Sequence, residues 1–117
     1  MRSKGFMGED MAAVYLKERG YQIMYRNFYT RFGELDIIAK KGRQLHIIEV
    51  KLTHRTTIHS SYKLNKHKQK RMIRCTQLYL DYAHIRDMYI QFDLIAITHN
   101  QINHYPNIFN LTDTYGQ

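Results

Sequence analysis

The chain has 117 residues, of which 44% are apolar and 13% aromatic, enough to bury a hydrophobic core as one domain over residues 1–117. Its formal charge of +8 predicts an anionic partner, such as nucleic acid or a charged membrane surface. No apolar run reaches the length of a membrane span, so we expect no membrane-spanning segment. Of the two anionic partners we expect nucleic acid and not a membrane. One cysteine excludes a disulfide framework and favours a reducing, cytoplasmic compartment.

The first predicted element is a helix over residues 6–19, which Gly20 ends because glycine readily adopts the positive φ of a C′ residue. Apolar residues occupy two sides of this helix, so we expect it to be buried rather than laid on the surface. Glu9 falls on the side with the small residues. The apolar residues of the two sides are Met7, Met11 and Val14, and Ala12, Ala13 and Leu16.

The remaining pattern predicts strands on either side of a second, long helix. A long helix between two strands usually crosses over the sheet and brings the next strand in parallel. The sequence therefore predicts an α/β fold with a mixed β-sheet flanked by helices, in the order α-β-β-β-α-β, with room for a final edge strand. The predicted strands are 21–28, 34–40, 44–52 and 88–97, with the edge strand at 101–109 and the helix at 63–83.

The two strands of the hairpin carry charged residues among apolar ones. Side chains alternate between the faces of a strand, so Glu49 and Lys51 share one face. With a turn centred on residues 41 and 42, paired residue numbers sum to 83, which places Glu34 opposite Glu49 and Asp36 on the same face. A slip of one residue would move Asp36 to the other face.

Carboxylates that face one another repel, and burying them without partners costs free energy. A divalent cation such as Mg²⁺ would resolve both problems, with Asp36 and Glu49 as ligands and Lys51 orienting or deprotonating a water. The competing interpretation is a solvated charge pattern on an exposed sheet. The apolar flanks of Glu49, in "LHIIEVKL", are poorly suited to a solvated face.

Asp36 followed by Glu49-Val50-Lys51 resembles the Asp…(Asp/Glu)-x-Lys motif of the restriction-endonuclease-like, or PD-(D/E)XK, superfamily. Most of the chain further resembles one branch of it, the small bacterial YraN family. The motifs that carry this resemblance occur in order, at Gly8-Glu9, Ala13, Tyr15-Leu16, Gly20-Tyr21, Asn27, Gly33–Asp36, Glu49–Lys51, Lys68–Arg71, Tyr79-Leu80 and Phe92-Asp93.

The resemblance implies a Mg²⁺- or Mn²⁺-dependent endonuclease that hydrolyses phosphodiester bonds of nucleic acid, with DNA, including branched DNA, favoured over RNA. Resolvase-like relatives act as dimers, so it also allows a homodimer. Family members often carry an Arg soon after the catalytic lysine, whereas this chain continues Leu52-Thr53-His54-Arg55, and we expect Arg55 to replace it from further along. The implied site residues are Asp36 and Glu49 with the Val50 carbonyl as metal ligands, Lys51 as catalytic lysine, and Glu9 as an outer carboxylate, as in Holliday-junction resolvases.

Residues 55–80 hold seven Lys or Arg and no acid. A solvated surface would account for such a helix, but like charges at this spacing repel, and a phosphate backbone would relieve the repulsion. The predicted nucleic-acid contacts are Arg55, Lys63, Lys66, Lys68, Lys70 and Arg74. The opposing core stripe is predicted at Leu64, Met72, Cys75, Leu78, Tyr79 and Tyr82.

For three residues, the sequence allows more than one role. Lys68 falls within the core stripe by its angle, so it could extend past that stripe to solvent. The family resemblance implies instead that Lys68 reaches the carboxylates, and this is the outcome that we predict. Arg71 lies at a similar angle and its role is left open. Asp93 is either a buried, hydrogen-bonded acid or a support for the site residues.

Two other functional classes compete with the nuclease. One is a nucleic-acid-binding domain that keeps the fold without catalysis. The other is a protein-interaction domain whose positive charge meets an acidic partner. Substitution of Asp36 and Lys51 separates cleavage from binding, and the acidic-partner hypothesis predicts no affinity for nucleic acid at low salt.

Overall fold

Two helices and five strands form within residues 4–53, 65–99 and 101–110, the parts of the chain that the computed structural model describes. They follow the predicted order, including the final edge strand. Neither helix in these ranges combines the length and the apolarity that crossing a membrane requires. The elements are α1 (Lys4–Glu18), β1 (Gln22–Thr30), β2 (Gly33–Lys41), β3 (Gln44–Leu52), α2 (Lys66–Ala83), β4 (Tyr89–Thr98) and β5 (Gln101–Phe109).

The five strands form one mixed sheet in the order β1-β2-β3-β4-β5. β3 and β4 are parallel, as the crossover by α2 predicts, and the other neighbouring pairs are antiparallel. β5 is an edge strand, and it contains Pro106, whose missing N–H is tolerated at an edge. The chain thus has the α/β fold predicted from its sequence.

Each face of the sheet has its own hydrophobic core. Ile47 packs with Met72 and other residues of α2, whereas its neighbour Ile48 packs with Leu16 and other residues of α1. Side-chain alternation along β3 accounts for this separation. The helices therefore cover opposite faces, which gives a layer of sheet between two helices.

The β2–β3 register differs from the prediction by two residues. Ile38 pairs with Ile47, and Lys41 pairs with Gln44. The turn is therefore centred between Gly42 and Arg43 rather than on Lys41 and Gly42, and Gly42 adopts a φ of 62°. A shift of two residues preserves every side chain's face. The pairing of β2 with β3 ends at Ile37 and Ile48, so Glu34 does not pair with Glu49 as predicted.

α1 buries one side only, contrary to the prediction that both would be buried. Leu16 and Ala12 are fully buried against the sheet. Met7 and Val14 are 61% and 54% exposed on the other side of the helix. The small residues let the helix lie close to the sheet, and no second layer covers its outer side within the described residues. As predicted, Gly20 ends this helix with a positive φ of 89°.

The predicted core stripe of α2 is confirmed in part, since Leu78 is only half-buried and Tyr82 lies outside the core. Met72, Cys75 and Tyr79 are buried, but Tyr82 is 62% exposed. Its ring lies at the surface, 5.9 Å from that of Tyr25. The helix begins after Asn65, so its predicted start at 63 and the predicted core residue at position 64 lie outside the described residues.

Asp93 is a fully buried, hydrogen-bonded acid on the face covered by α1. Its carboxylate lies 2.9 Å from His46 Nδ1 and 3.0 Å from His104 Nε2. It also accepts hydrogen bonds from the side chain of Gln91 and the backbone N–H of Asn107. Burial alone would raise the pKa of Asp93, but these hydrogen bonds hold that pKa below its usual range.

Asp93→Asn is expected to lower the free energy of unfolding at pH 7 by about 3 kcal/mol, because an amide cannot accept from all four donors. Urea denaturation measures this loss, with the exposed Asp87→Asn as the matched control. The pKa of Asp93 is lowered by folding, so its contribution is present above about pH 4 and lost on further acidification. The free energies of unfolding of Asp93→Asn and Asp87→Asn should therefore become equal in strong acid. Equal values at pH 7 would contradict the prediction.

Candidate active site

A cleft of about 270 Å³ lies between the start of β2, the end of β3 and the first half of α2. It brings together three residues predicted for the site, Asp36, Glu49 and Lys68. Glu34 and Arg71 also line it: the sequence placed Glu34 on the charged face of the hairpin without a role in the site, and it left the role of Arg71 open. The complete lining is Phe32, Gly33, Glu34, Asp36, Glu49, Lys68, Arg71, Met72 and Cys75.

Asp36 is a partly buried carboxylate in a negative environment. Burial, together with the charges of Glu49, Glu9 and Glu34, raises the pKa of Asp36 to about 7. The backbone N–H of Val50 opposes this by donating a hydrogen bond of 2.9 Å to Asp36 Oδ2. The site therefore holds a carboxylate that is only partly ionised at neutral pH unless a positive charge approaches it.

The path of β2 changes at Asp36. Leu35 packs in the core on the α2 side and Ile37 in the core on the α1 side, although residues two apart share a face on a regular strand. On the neighbouring β1, Asn27 has a positive φ of 57°, between the partners of Leu35 and Ile37. At this irregular position, the pKa of Asp36 is raised by the charge of Glu49 on β3 and by the charge of Glu9 on α1, which covers the other face of the sheet.

Lys68 forms an ion pair with Glu49. The contact confirms the prediction that this lysine reaches the carboxylates instead of extending to solvent. Asn65 fixes the first turn of α2 by accepting a hydrogen bond from the Lys68 backbone N–H at 3.1 Å. The first turn of α2 therefore supplies positive charge to one side of Asp36 and Glu49, which form the acid pair of the cleft.

Glu9 approaches the site from α1 but does not line the cleft. Gly8 lets α1 approach β3 closely, since a Cβ there would lie 3.0 Å from Leu52 Cδ2. Burial raises the pKa of Glu9, while a hydrogen bond from the Asn27 side chain and the charge of Arg26 lower it. Its Oε1 atom is buried without a hydrogen bond and lies 3.9 Å from Arg26 Nη2.

The other predicted residues lie around the cleft or outside the described residues. Lys51 is exposed on the same face of β3 as Glu49, but it does not line the cleft. The predicted basic stripe is exposed on α2 at Lys66, Lys70 and Arg74. Arg55 and Lys63 lie outside the described residues.

The acid pair fits a hard divalent cation that keeps part of its water shell. Within the described ranges, no group of three or more His, Cys, Asp or Glu side chains is placed to hold a metal ion. Mg²⁺ nevertheless needs only one or two protein carboxylates, and water and substrate phosphate complete its coordination. The partly buried charge of Asp36, in the negative potential of its neighbours, is consistent with a cation near this pair.

Asp36→Asn is expected to stabilise the metal-free protein at pH 8 by about 1–3 kcal/mol, because it removes a desolvated negative charge. The folded-state pKa of Asp36 lies above its unfolded value, so the native protein should lose stability as pH rises from about 4 to about 7. Urea denaturation in EDTA at several pH values measures both effects. A variant that is less stable than the native protein at pH 8 would exclude this electrostatic cost.

The sequence model of the uncharacterised protein family UPF0102 matches residues 8–97 of this chain. A UPF0102 protein of Persephonella marina is 38% identical over 109 residues, which cover 92% of this chain and 94% of the relative. A UPF0102 protein of Campylobacter fetus is 38% identical over 104 residues, which cover 89% of this chain and 91% of the relative. The chain therefore belongs to the UPF0102 (YraN) family, within the PD-(D/E)XK nuclease-like superfamily.

Proposed function

We propose that this protein is a Mg²⁺- or Mn²⁺-dependent nuclease that hydrolyses phosphodiester bonds, with DNA as its preferred substrate. The observation that carries the proposal is the partly buried Asp36 carboxylate beside Glu49, in a cleft that also contains basic side chains. A protein loses stability by holding such a carboxylate in a negative environment, and a cation-binding role accounts for that loss. The exposed basic stripe of α2 gives a nucleic acid a surface to contact.

Asp36 and Glu49 would hold the cation, with the Val50 carbonyl as a third ligand. A bound divalent cation supplies polarisation of the phosphodiester and lowers the pKa of a water molecule. Lys51 would orient or deprotonate that water and offset the negative charge that grows on the phosphate. Lys68 would balance the charge of Glu49, and Glu9 would act as an outer carboxylate that adds to the negative potential at Asp36.

One observation favours a second candidate, a nucleic-acid-binding domain without catalysis. Lys68 already pairs with Glu49, so that carboxylate has a positive partner without a metal. A lysine in this place would let the fold keep its acid pair while binding only the phosphate backbone. The two candidates differ in whether Mn²⁺ binds the native protein and promotes cleavage.

We expect the native protein to cleave DNA in the presence of Mn²⁺, and Asp36→Asn and Lys51→Ala each to lower the rate by at least about 100-fold. The assay uses branched, duplex and single-stranded DNA together with single-stranded RNA. Binding in EDTA at low salt should stay within about threefold for Lys51→Ala, since one of several phosphate contacts is lost.

The matched controls are Asp87→Asn and Lys17→Ala, exposed residues that change the same charges away from the cleft. Cleavage that survives in both site variants would assign the activity to another site or to a contaminant. Binding of nucleic acid without cleavage by the native protein would select the second candidate. An absence of both would favour an acidic protein partner.

A further inference from the structure

A second group of positive charges lies at the mouth of the cleft, around an aromatic ring. Phe32 lines the cleft and belongs to the two-residue turn between β1 and β2. The guanidinium carbon of Arg31 lies 4.9 Å from the centroid of the Phe32 ring. The guanidinium carbon of Arg74, on α2, lies 5.1 Å from the same centroid. Two elements that are distant in sequence therefore place their arginines on one ring.

The turn that carries Arg31 and Phe32 is tied to α2. Thr30 Oγ1 accepts a hydrogen bond of 3.0 Å from the Phe32 backbone N–H. The same hydroxyl lies 3.0 Å from the Gly33 carbonyl and 3.2 Å from the sulfur of Cys75. Cys75 is buried and directly follows Arg74 in α2, so this contact ties the backbone that carries Arg31 to the backbone that carries Arg74.

The two arginines concentrate charge that the neighbouring acids do not neutralise. Where the structure describes the chain, neither Arg31 nor Arg74 takes part in an ion pair with a carboxylate. Both side chains belong to exposed residues, and Arg71, one turn earlier on α2, adds a third guanidinium at the cleft. Because the two guanidinium carbons lie 4.9 Å and 5.1 Å from the centroid of one ring, an anion bound beside that ring is attracted by both charges.

Stacking on an aromatic ring leaves the donors of arginine available. A cation–π contact uses the face of the guanidinium, whereas its N–H groups point outward in the plane. Those coplanar donors match the oxygens of a phosphate in a bidentate arrangement. The Phe32 ring thus holds two phosphate-binding groups in place, and the conformational entropy lost on binding is reduced.

We propose that Arg31, Phe32 and Arg74 form a phosphate clamp for one phosphate of the bound strand, beside the acid pair. The clamp rests on the proposed function insofar as its ligand is nucleic acid. It would fix the register of the strand, so that a neighbouring phosphodiester reaches Asp36 and Glu49. The chemistry suits either a terminal phosphate or an internal one, and the substrates below distinguish them.

Arg31→Gln and Arg74→Gln are each expected to weaken binding of a fluorescent single-stranded oligonucleotide by about 3- to 10-fold in EDTA. Each should also reduce the slope of log affinity against log salt by about 0.7, the value for one lost contact with single-stranded nucleic acid.

The matched control is Arg43→Gln, which removes the same charge from the two-residue turn at the opposite end of β2. Arg74→Lys should weaken binding nearly as much as Arg74→Gln, because it loses the planar pair of donors. Phe32→Leu should weaken it severalfold with no change in net charge.

A loss in the two variants no greater than in Arg43→Gln would overturn the clamp. If binding falls as expected but the native protein cleaves nothing, the clamp stands and the catalytic proposal fails. Titration with inorganic phosphate, followed by the side-chain Nε–H signals of Arg31 and Arg74, tests the clamp without any nucleic acid. Unmoved signals together with unaffected binding would reject it.

Comparison of 5′-phosphorylated and 5′-hydroxyl strands tells which phosphate is held. A variant effect confined to the 5′-phosphorylated strand assigns a terminal phosphate, and equal effects on both strands assign an internal one.

Discussion

The constraint on which the site depends is the desolvation of Asp36. A carboxylate that is partly buried next to other carboxylates destabilises the fold, and the surrounding elements only partly relieve this. One backbone N–H of β3 donates to it, and Lys68 balances its neighbour Glu49. The strands and α2 hold these groups in one cleft because their apolar residues pack in the core on the α2 face, whose Met72 and Cys75 also line the cleft. Packing therefore supplies the stability that the charged residues give up.

The two faces of the sheet use buried charge in opposite ways. On the α1 face, Asp93 accepts hydrogen bonds from four donors and strengthens the fold. On the α2 face, Asp36 has one such donor and neighbours of its own sign. Asp93 has all the hydrogen bonds that a buried carboxylate needs, so we assign it a structural role. Asp36 has one hydrogen bond and a raised pKa, so we assign it a role in the chemistry of the site.

The sequence was sufficient for the order of the elements and the faces of the β3 residues, because these follow from periodicity, and its family resemblance predicted the contact of Lys68 with Glu49. It was not sufficient where a feature depended on local turns or distant strands. The β2–β3 register was wrong by two residues because Gly42 occupies the first position of the turn, not the second. The exposure of Met7 and Val14 was missed because an apolar pattern cannot show whether a second layer covers it. Asp93 remained ambiguous because its histidines come from two other strands, and Arg31 and Phe32 gave no periodic signal because they form a tight turn.

The position of the Gly42-Arg43 turn has a practical consequence. It closes the hairpin at the far end of β2 from the cleft, and both of its residues are exposed. Extra residues in a surface turn alter the closure entropy only slowly with length. A dye or an affinity handle inserted there would leave the cleft accessible, whereas the same handle in the β1–β2 turn would obstruct its entrance.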